Sequence, residues 1–511
     1  MGRKVYYNAN IITMDDEKTV QAAATENGNI IMTGTNEEVL KFCKDAQKRD
    51  MNGMTIIPAF IDSHGHFLAK ASELLSVSLE GCTGISDILM RIAHYREKNI
   101  SDDSQWIIAD GYDFSEFIKD PGLAGEDLDK LQIKNPVVVK HKSGHSGVFN
   151  CAACRLLGAD PPEGRAYEKE YMSIIEKLPP PAPQDFINAC LKAQDIYFSY
   201  GITTAQEGMM VRQMLDIYAL LIKNNLLRLR INGYARTDDY DLFAQKFPES
   251  TGRYHNNFRL MGYKIFLDGS PQLRTAWMRT PYADNGSGSV EYGQPVMTEK
   301  AVCDAINMAV EKNMQIIAHC NGDAAAAQFI NACSMCTIKP DRPVMIHSQL
   351  LDPGQMGSLK KYGIIPSFFI AHIYHWGDLH IKNFGLSRAQ TISAAGSAFR
   401  NGLPATFHQD TPVIEPDMME TVWCAVNRTT KAGICLGRDE RINVYQALEA
   451  VTVNAAYQYF DEKSAGSIKV NKKADLAVLS QDPLSVETYK LKDIKVMETV
   501  MDGETVYRRS N

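Results

Sequence analysis

At 511 residues the chain is longer than one ordinary domain, and 45% hydrophobic with 23% charged residues is the balance of a globular protein, not a disordered or fibrous one. The net charge of −7 gives no electrostatic basis for binding nucleic acid or an anionic membrane. No stretch approaches about 20 uninterrupted apolar residues, so no membrane span is expected.

The first ten residues are basic but lack the apolar core of a signal peptide. Gly2 is followed by Tyr6 where N-myristoylation needs Ser or Thr. The 11 cysteines are odd in number and lie in apolar contexts, which suggests reduced thiols and a cytoplasmic location. The pairs Cys151/Cys154 and Cys333/Cys336 are too far apart for a zinc ribbon and are expected as buried helix residues.

Residues 5–7, 10–14, 22–26 and 30–34 read as short strands, punctuated by Asp15-Asp16 and by the hairpin dipeptide Asn27-Gly28. The next apolar strand, 56–61, runs into His64-Gly65-His66. Strand alternation puts residues i and i+2 on one side, and the glycine between them adds no bulk. Two convergent imidazoles at the mouth of a buried strand are half a metal site.

Residues 68–195 interrupt the pattern as an insertion with its own strand at 136–141 and a Pro-rich run at 178–183. Beyond it, apolar strands at 203–206, 227–234, 263–267, 315–318, 343–346, 364–369 and 404–407 alternate with helical segments that include 185–198, 299–312 and 444–459. With 56–61 they make eight, the pattern of an α/β protein built as a (β/α)8 TIM-type barrel. Strand signals return at 466–468, 474–480, 496–501 and 505–507, with Asp502-Gly503 as a turn. Neither chain end carries enough strand to bury a core alone. Residues 1–57 and 462–511 are therefore expected to form one small β-sandwich domain beside a barrel at 58–461.

Metal-capable residues gather at the C-terminal ends of these strands, the face where such barrels carry their sites. His64 and His66 follow the first, Lys264 lies within the fourth, His319 ends the fifth, His347 ends the sixth and Asp410 follows the eighth. One strand-end histidine is often only a satisfied polar residue. Four of the chain's 12 histidines, a lysine and an aspartate in this strand order are harder to dismiss.

That order resembles the amidohydrolase superfamily of metal-dependent hydrolases. The motifs Ala59-Phe60-Ile61-Asp62-Ser63-His64-Gly65-His66, Ser143-Gly144-His145, Leu267-Asp268-Gly269-Ser270, Ala318-His319-Cys320-Asn321-Gly322-Asp323, Ile346-His347-Ser348-Gln349 and Phe407-His408-Gln409-Asp410 narrow the resemblance to the family 3 branch of YtcJ-like proteins and N-substituted formamide deformylases. The resemblance implies that His64 and His66 bind the more buried metal and His319 and His347 the second. It further implies that Asp410 ligates metal and shuttles protons. A divalent ion, zinc by the donor types, would lower the pKa of water toward about 7 and supply hydroxide to attack a polarised carbonyl. Asp410 would then act as general base and acid.

In related enzymes a lysine at the position of Lys264 is carboxylated and bridges two metals. The alternative here is one metal and an unmodified lysine, with Glu207 as a substitute carboxylate. His145 is expected near the carbonyl or leaving group. Asp268 either hydrogen-bonds substrate or fixes a loop at a helix N-terminus. His372, His375 and His408 are candidates to line the pocket, and Asp323 is expected to cap the helix after it. The expected reaction is hydrolysis of a linear amide, an N-acyl or N-formyl amine, by a protein that pairs as a homodimer if it follows its relatives. Rivals are a cyclic amidase or deaminase, and a non-catalytic regulatory protein that has kept the barrel.

Overall fold

A computed structural model describes residues 2–113, 122–179, 181–284, 286, 288–336 and 338–510. Pro180 of the Pro-rich run lies outside the described residues. The chain divides into two compact units, one of Met1–His66, Gln194–Asp410 and Glu415–Asn511, the other of Phe67–Ala193 with Thr411–Ile414.

The first unit is organised by an all-parallel sheet, of eight strands among the described residues. In chain order these are β1 Phe60–Ile61, β2 Ile202–Met210, β3 Arg230–Arg236, β4 Phe258–Phe266, β5 Gln315–Cys320, β6 Val344–His347, β7 Ile365–Phe368 and β8 Thr406–Phe407. Each pairs in parallel with its sequence neighbour. Their residues are almost all buried because parallel strands are covered on both faces, which is why the sequence shows continuous apolar runs instead of alternation. The sheet curls. The Ser63 hydroxyl, just past β1, donates to Phe407 O of β8 at 2.9 Å. Gln458 ties the same edges, donating to Ser63 O at 2.8 Å and accepting from the Thr406 hydroxyl at 2.8 Å. The result is a TIM-barrel-like α/β fold.

The expected strand 56–61 is two strands in two sheets. Thr55–Pro58 pairs with Asn10–Ile12 and with Leu476–Leu479, so it belongs to a six-stranded sheet that joins both chain ends. The switch falls at Ala59, whose N–H donates to Asp475 O, while the next N–H, of Phe60, donates to Gly201 O. A four-stranded sheet holds Lys4–Tyr7, Ala22–Glu26, Asn29–Gly34 and Gln47–Asp50. Side chains of both sheets meet in one apolar cluster that includes Tyr6, Ala23 and Ile30 from one and Ile11, Ile56, Leu476 and Val500 from the other.

Residues 466–468 are not a strand. The expected helix 444–459 is two, Val444–Ala450 and Val453–Gln458, broken where the Thr452 hydroxyl turns back onto Leu448 O at 2.6 Å. Asp323 is not a cap. Gly322 occupies that position for the helix Asp323–Met335, and the Asp323 carboxylate accepts the Arg279 N–H at 2.8 Å.

The second unit has its own five-stranded sheet of Val77–Ser78, Ile107–Tyr112, Val137–His141, Ser146–Phe149 and Arg165–Tyr167. It has its own apolar cores around Ile88, Val137 and Leu128 and around Val138, Phe149 and Tyr171. Cys151 is exposed, against the expectation of burial, whereas Cys333 is buried. No described helix is long and apolar enough to cross a membrane.

Candidate metal centre

Six side chains converge at the C-terminal ends of the parallel strands. His64 and His66 follow β1, and their rings stand edge to face with centroids 5.2 Å apart. The segment is held by the end of β2, where Gly208 N–H donates to Gly65 O at 2.8 Å. Position 208 has no room for a side chain, since a Cβ there would lie 2.5 Å from His64 Cε1 and 3.0 Å from Gly65 O. Asp410 follows β8. Its Oδ1 lies 3.4 Å from His64 Nε2 and 3.3 Å from His66 Nε2. Donor atoms of His64, His66 and Asp410 all fall within 4.8 Å of one another, a span one metal ion can gather.

The second pair sits across the Asp410 carboxylate. His319 in β5 and His347 at the end of β6 approach through His319 Nδ1 and His347 Nε2 at 3.2 Å, and His347 Nε2 is 3.9 Å from Asp410 Oδ2. The carboxylate therefore reaches the first imidazole pair with Oδ1 and His347 of the second with Oδ2. Lys264 in β4 reaches the first pair, with Nζ 3.3 Å from His64 Nε2. Glu207 Oε1 is 3.8 Å from His66 Nδ1, and its Oε2 accepts the Tyr218 hydroxyl at 2.9 Å.

The electrostatics suit a cation. Burial holds His64 and His347 well below the usual imidazole range, and neighbouring Lys264 and His319 push each further, so both are neutral donors. Burial alone would raise Asp410, but its contact with His66 leads the interactions that hold it well below the usual carboxylate range. Burial lowers Lys264 to about 7 against the pull of Asp410, which leaves a large neutral-amine fraction. Asp410 Oδ1 is buried without a hydrogen-bond partner, as a lone pair kept for an ion would be. His347 and Asp410 also adopt left-handed backbone, φ 69° and 54°, unusual for residues with side chains.

The remaining candidates divide. His408 is fully buried, its ring 5.1 Å from His64 and 5.2 Å from His347, with no hydrogen bond to either nitrogen and with burial lowering it to about 3. His372 is buried against Phe369 and Trp376, with Nδ1 3.3 Å from His380 Nε2. His375 instead pairs with Glu420 at 2.7 Å. Asp268 accepts three backbone N–H groups, from Asn321 at 2.9 Å, Gly322 at 2.7 Å and Trp277 at 3.0 Å, so its oxygens fix loops at a helix start. His145 lies in the second unit, bonded to Glu168 at 2.8 Å.

Behind His64 stands Gln206, which no motif in the sequence announced. Its signal was a polar side chain in an apolar run that had to be buried on both faces.

A parallel α/β sheet whose strand ends carry imidazoles around a carboxylate defines a hydrolase scaffold suited to a divalent metal. Residues 47–507 match the model of the Amidohydrolase family. The chain belongs to the amidohydrolase family, in its family 3 branch. It is 26% identical to a putative amidohydrolase, YtcJ, of Bacillus subtilis over 99% of this chain and all of that one. It is 24% identical to an N-substituted formamide deformylase of Arthrobacter pascens over 98% of each. A crystal structure of an uncharacterized metal-dependent hydrolase from Pyrococcus horikoshii OT3 superposes with TM-score 0.80 at 23% identity, over 95% of this chain and 99% of that one.

Proposed function

We propose that this protein is a metal-dependent hydrolase that cleaves the C–N bond of a linear amide, an N-acyl or N-formyl amine. One observation carries the proposal: a single carboxylate, Asp410, reaches the His64 and His66 imidazoles with one oxygen and His347, which pairs with His319, with the other. Donors of nitrogen and oxygen in this number suit zinc. His64 and His66 would hold one ion, His319 and His347 a second, and Asp410 would touch both. Lys264, carboxylated on its neutral amine, would bridge them. A divalent ion there supplies a Lewis acid and makes bound water acidic near neutral pH.

The chain's own residues do the rest. Asp410 accepts the proton of the attacking water and returns it to the leaving nitrogen, as base and then acid. Asp268 keeps the loops after β4 and β5 in place around the site. The name of the Arthrobacter relative supports a linear formamide over a ring.

We further propose residues 1–57 with 462–511 as one β-sandwich beside a closed barrel at 58–461, carrying the insertion 68–195. A cytoplasmic homodimer acting on a small molecule completes the proposal. The test is a panel of formamides, N-acyl amines and lactams given to zinc-loaded protein. Release of primary amine with carboxylate supports the proposal. Ammonia release or lactam opening favours the cyclic or deaminating alternative. No turnover with retained ligand binding favours a regulatory protein.

A further inference from the structure

We infer that Gln206 is a positioning residue that fixes which ring nitrogen of His64 faces the metal, an inference that rests on the metal proposal above. Gln206 is fully buried in β2, with Oε1 2.5 Å from His64 Nδ1. An amide can be turned either way, so its orientation must come from its other contacts. The Gln206 nitrogen lies 2.9 Å from Ser63 O and 2.9 Å from the Tyr459 hydroxyl. Ser63 O can only accept. The Tyr459 hydroxyl gives its single proton to Asp62 O at 2.8 Å, so toward Gln206 it too accepts.

Both contacts demand a donor, and an amide oxygen placed there would meet two lone pairs. The nitrogen therefore belongs at that end and the oxygen at His64. An amide oxygen only accepts, so Nδ1 of His64 carries the hydrogen. A neutral imidazole has one N–H. Its lone pair is then on Nε2, the atom 3.4 Å from Asp410 Oδ1 and 3.3 Å from Lys264 Nζ.

The carbonyls that set this chain of hydrogen bonds, of Asp62 and Ser63, immediately precede His64. The segment thus specifies the tautomer of its own histidine through Tyr459 and Gln206. Gln458 steadies the reference point with a second hydrogen bond to Ser63 O. At His66 the geometry differs, with Glu207 Oε1 3.8 Å from Nδ1.

The test compares wild type with Gln206→Met, which removes the acceptor, and Gln206→Glu, whose buried carboxyl, protonated, keeps an acceptor toward His64 and a donor toward Ser63 O. Two readouts are taken: zinc affinity by chelator competition, and nitrogen-15 NMR of histidine-labelled, zinc-free protein. The wild type should show His64 protonated at Nδ1. Gln206→Met should lose about 10- to 100-fold in zinc affinity, and Gln206→Glu should stay within a few-fold. Wild-type His64 protonated at Nε2 would overturn the inference. So would equal zinc affinity in the folded Gln206→Met protein, or the same fall in Tm for both variants with no change in zinc binding. A wild type that binds no zinc would overturn the metal proposal instead, while the zinc-free NMR result would still judge Gln206.

Discussion

The two sheets that divide residues 55–61 treat buried charge in opposite ways. In the sheets from the chain ends, charge is saturated by the chain itself. Arg49 grips Glu498 with two hydrogen bonds of 2.8 and 2.6 Å, and Thr505 and Arg508 add to the same carboxylate. At the C-terminal ends of the parallel strands, Asp410 Oδ1 and both nitrogens of His408 are buried without hydrogen bonds, and His347 and Asp410 sit in left-handed backbone. Buried polar groups without partners cost free energy unless something else satisfies them. Saturated charge is structure, and unsaturated charge is a place for a ligand.

The contrast can be broken by substitution. Asp410→Asn should reduce hydrolysis about a thousand-fold or more, since it removes the proton carrier and a metal ligand together. A steady-state assay on protein of unchanged circular dichroism checks it. Gly208→Ala should push His64 aside and weaken zinc binding about tenfold, read by chelator competition. Arg49→Met should do the reverse. It should cost about 2 kcal/mol in denaturant unfolding, between an exposed and a fully buried ion pair, and leave zinc affinity and turnover per folded molecule unchanged.

The effect of least consequence for the metal site concerns pH. Burial lowers His380 to about 3, against an ordinary value of 6.5. Between those values the unfolded chain binds a proton that the folded chain refuses. This stability is complete above pH 6.5 and is lost as pH falls toward 3, by at most about 1.4 kcal/mol per pH unit. His380→Phe should flatten the slope between pH 6.5 and 5 in urea titrations.

Much of this was legible in the sequence because parallel strands are apolar throughout and end in polar residues, so His64, His319, His347 and Asp410 stood out. The division at Ala59 was not legible, since Thr55–Pro58 and Phe60–Ile61 form one continuous apolar run and only pairing partners separate them. Nor was the fate of Asp268 and His375. Loops that fold back, through Trp277 and Gly322 onto one and Glu420 onto the other, decide those roles, and no local pattern announces them. Gln206 was hidden for the same reason, because its partners Tyr459 and Ser63 lie far away in sequence.

The central claim is that the unsaturated cluster holds metal. Anomalous X-ray diffraction at the zinc edge, on crystals of zinc-loaded protein, tests it most directly. The expected result is a peak between His64, His66 and Asp410, with a second beside His319 and His347 if Lys264 is carboxylated. Peaks only elsewhere on the molecule, or none, would contradict it.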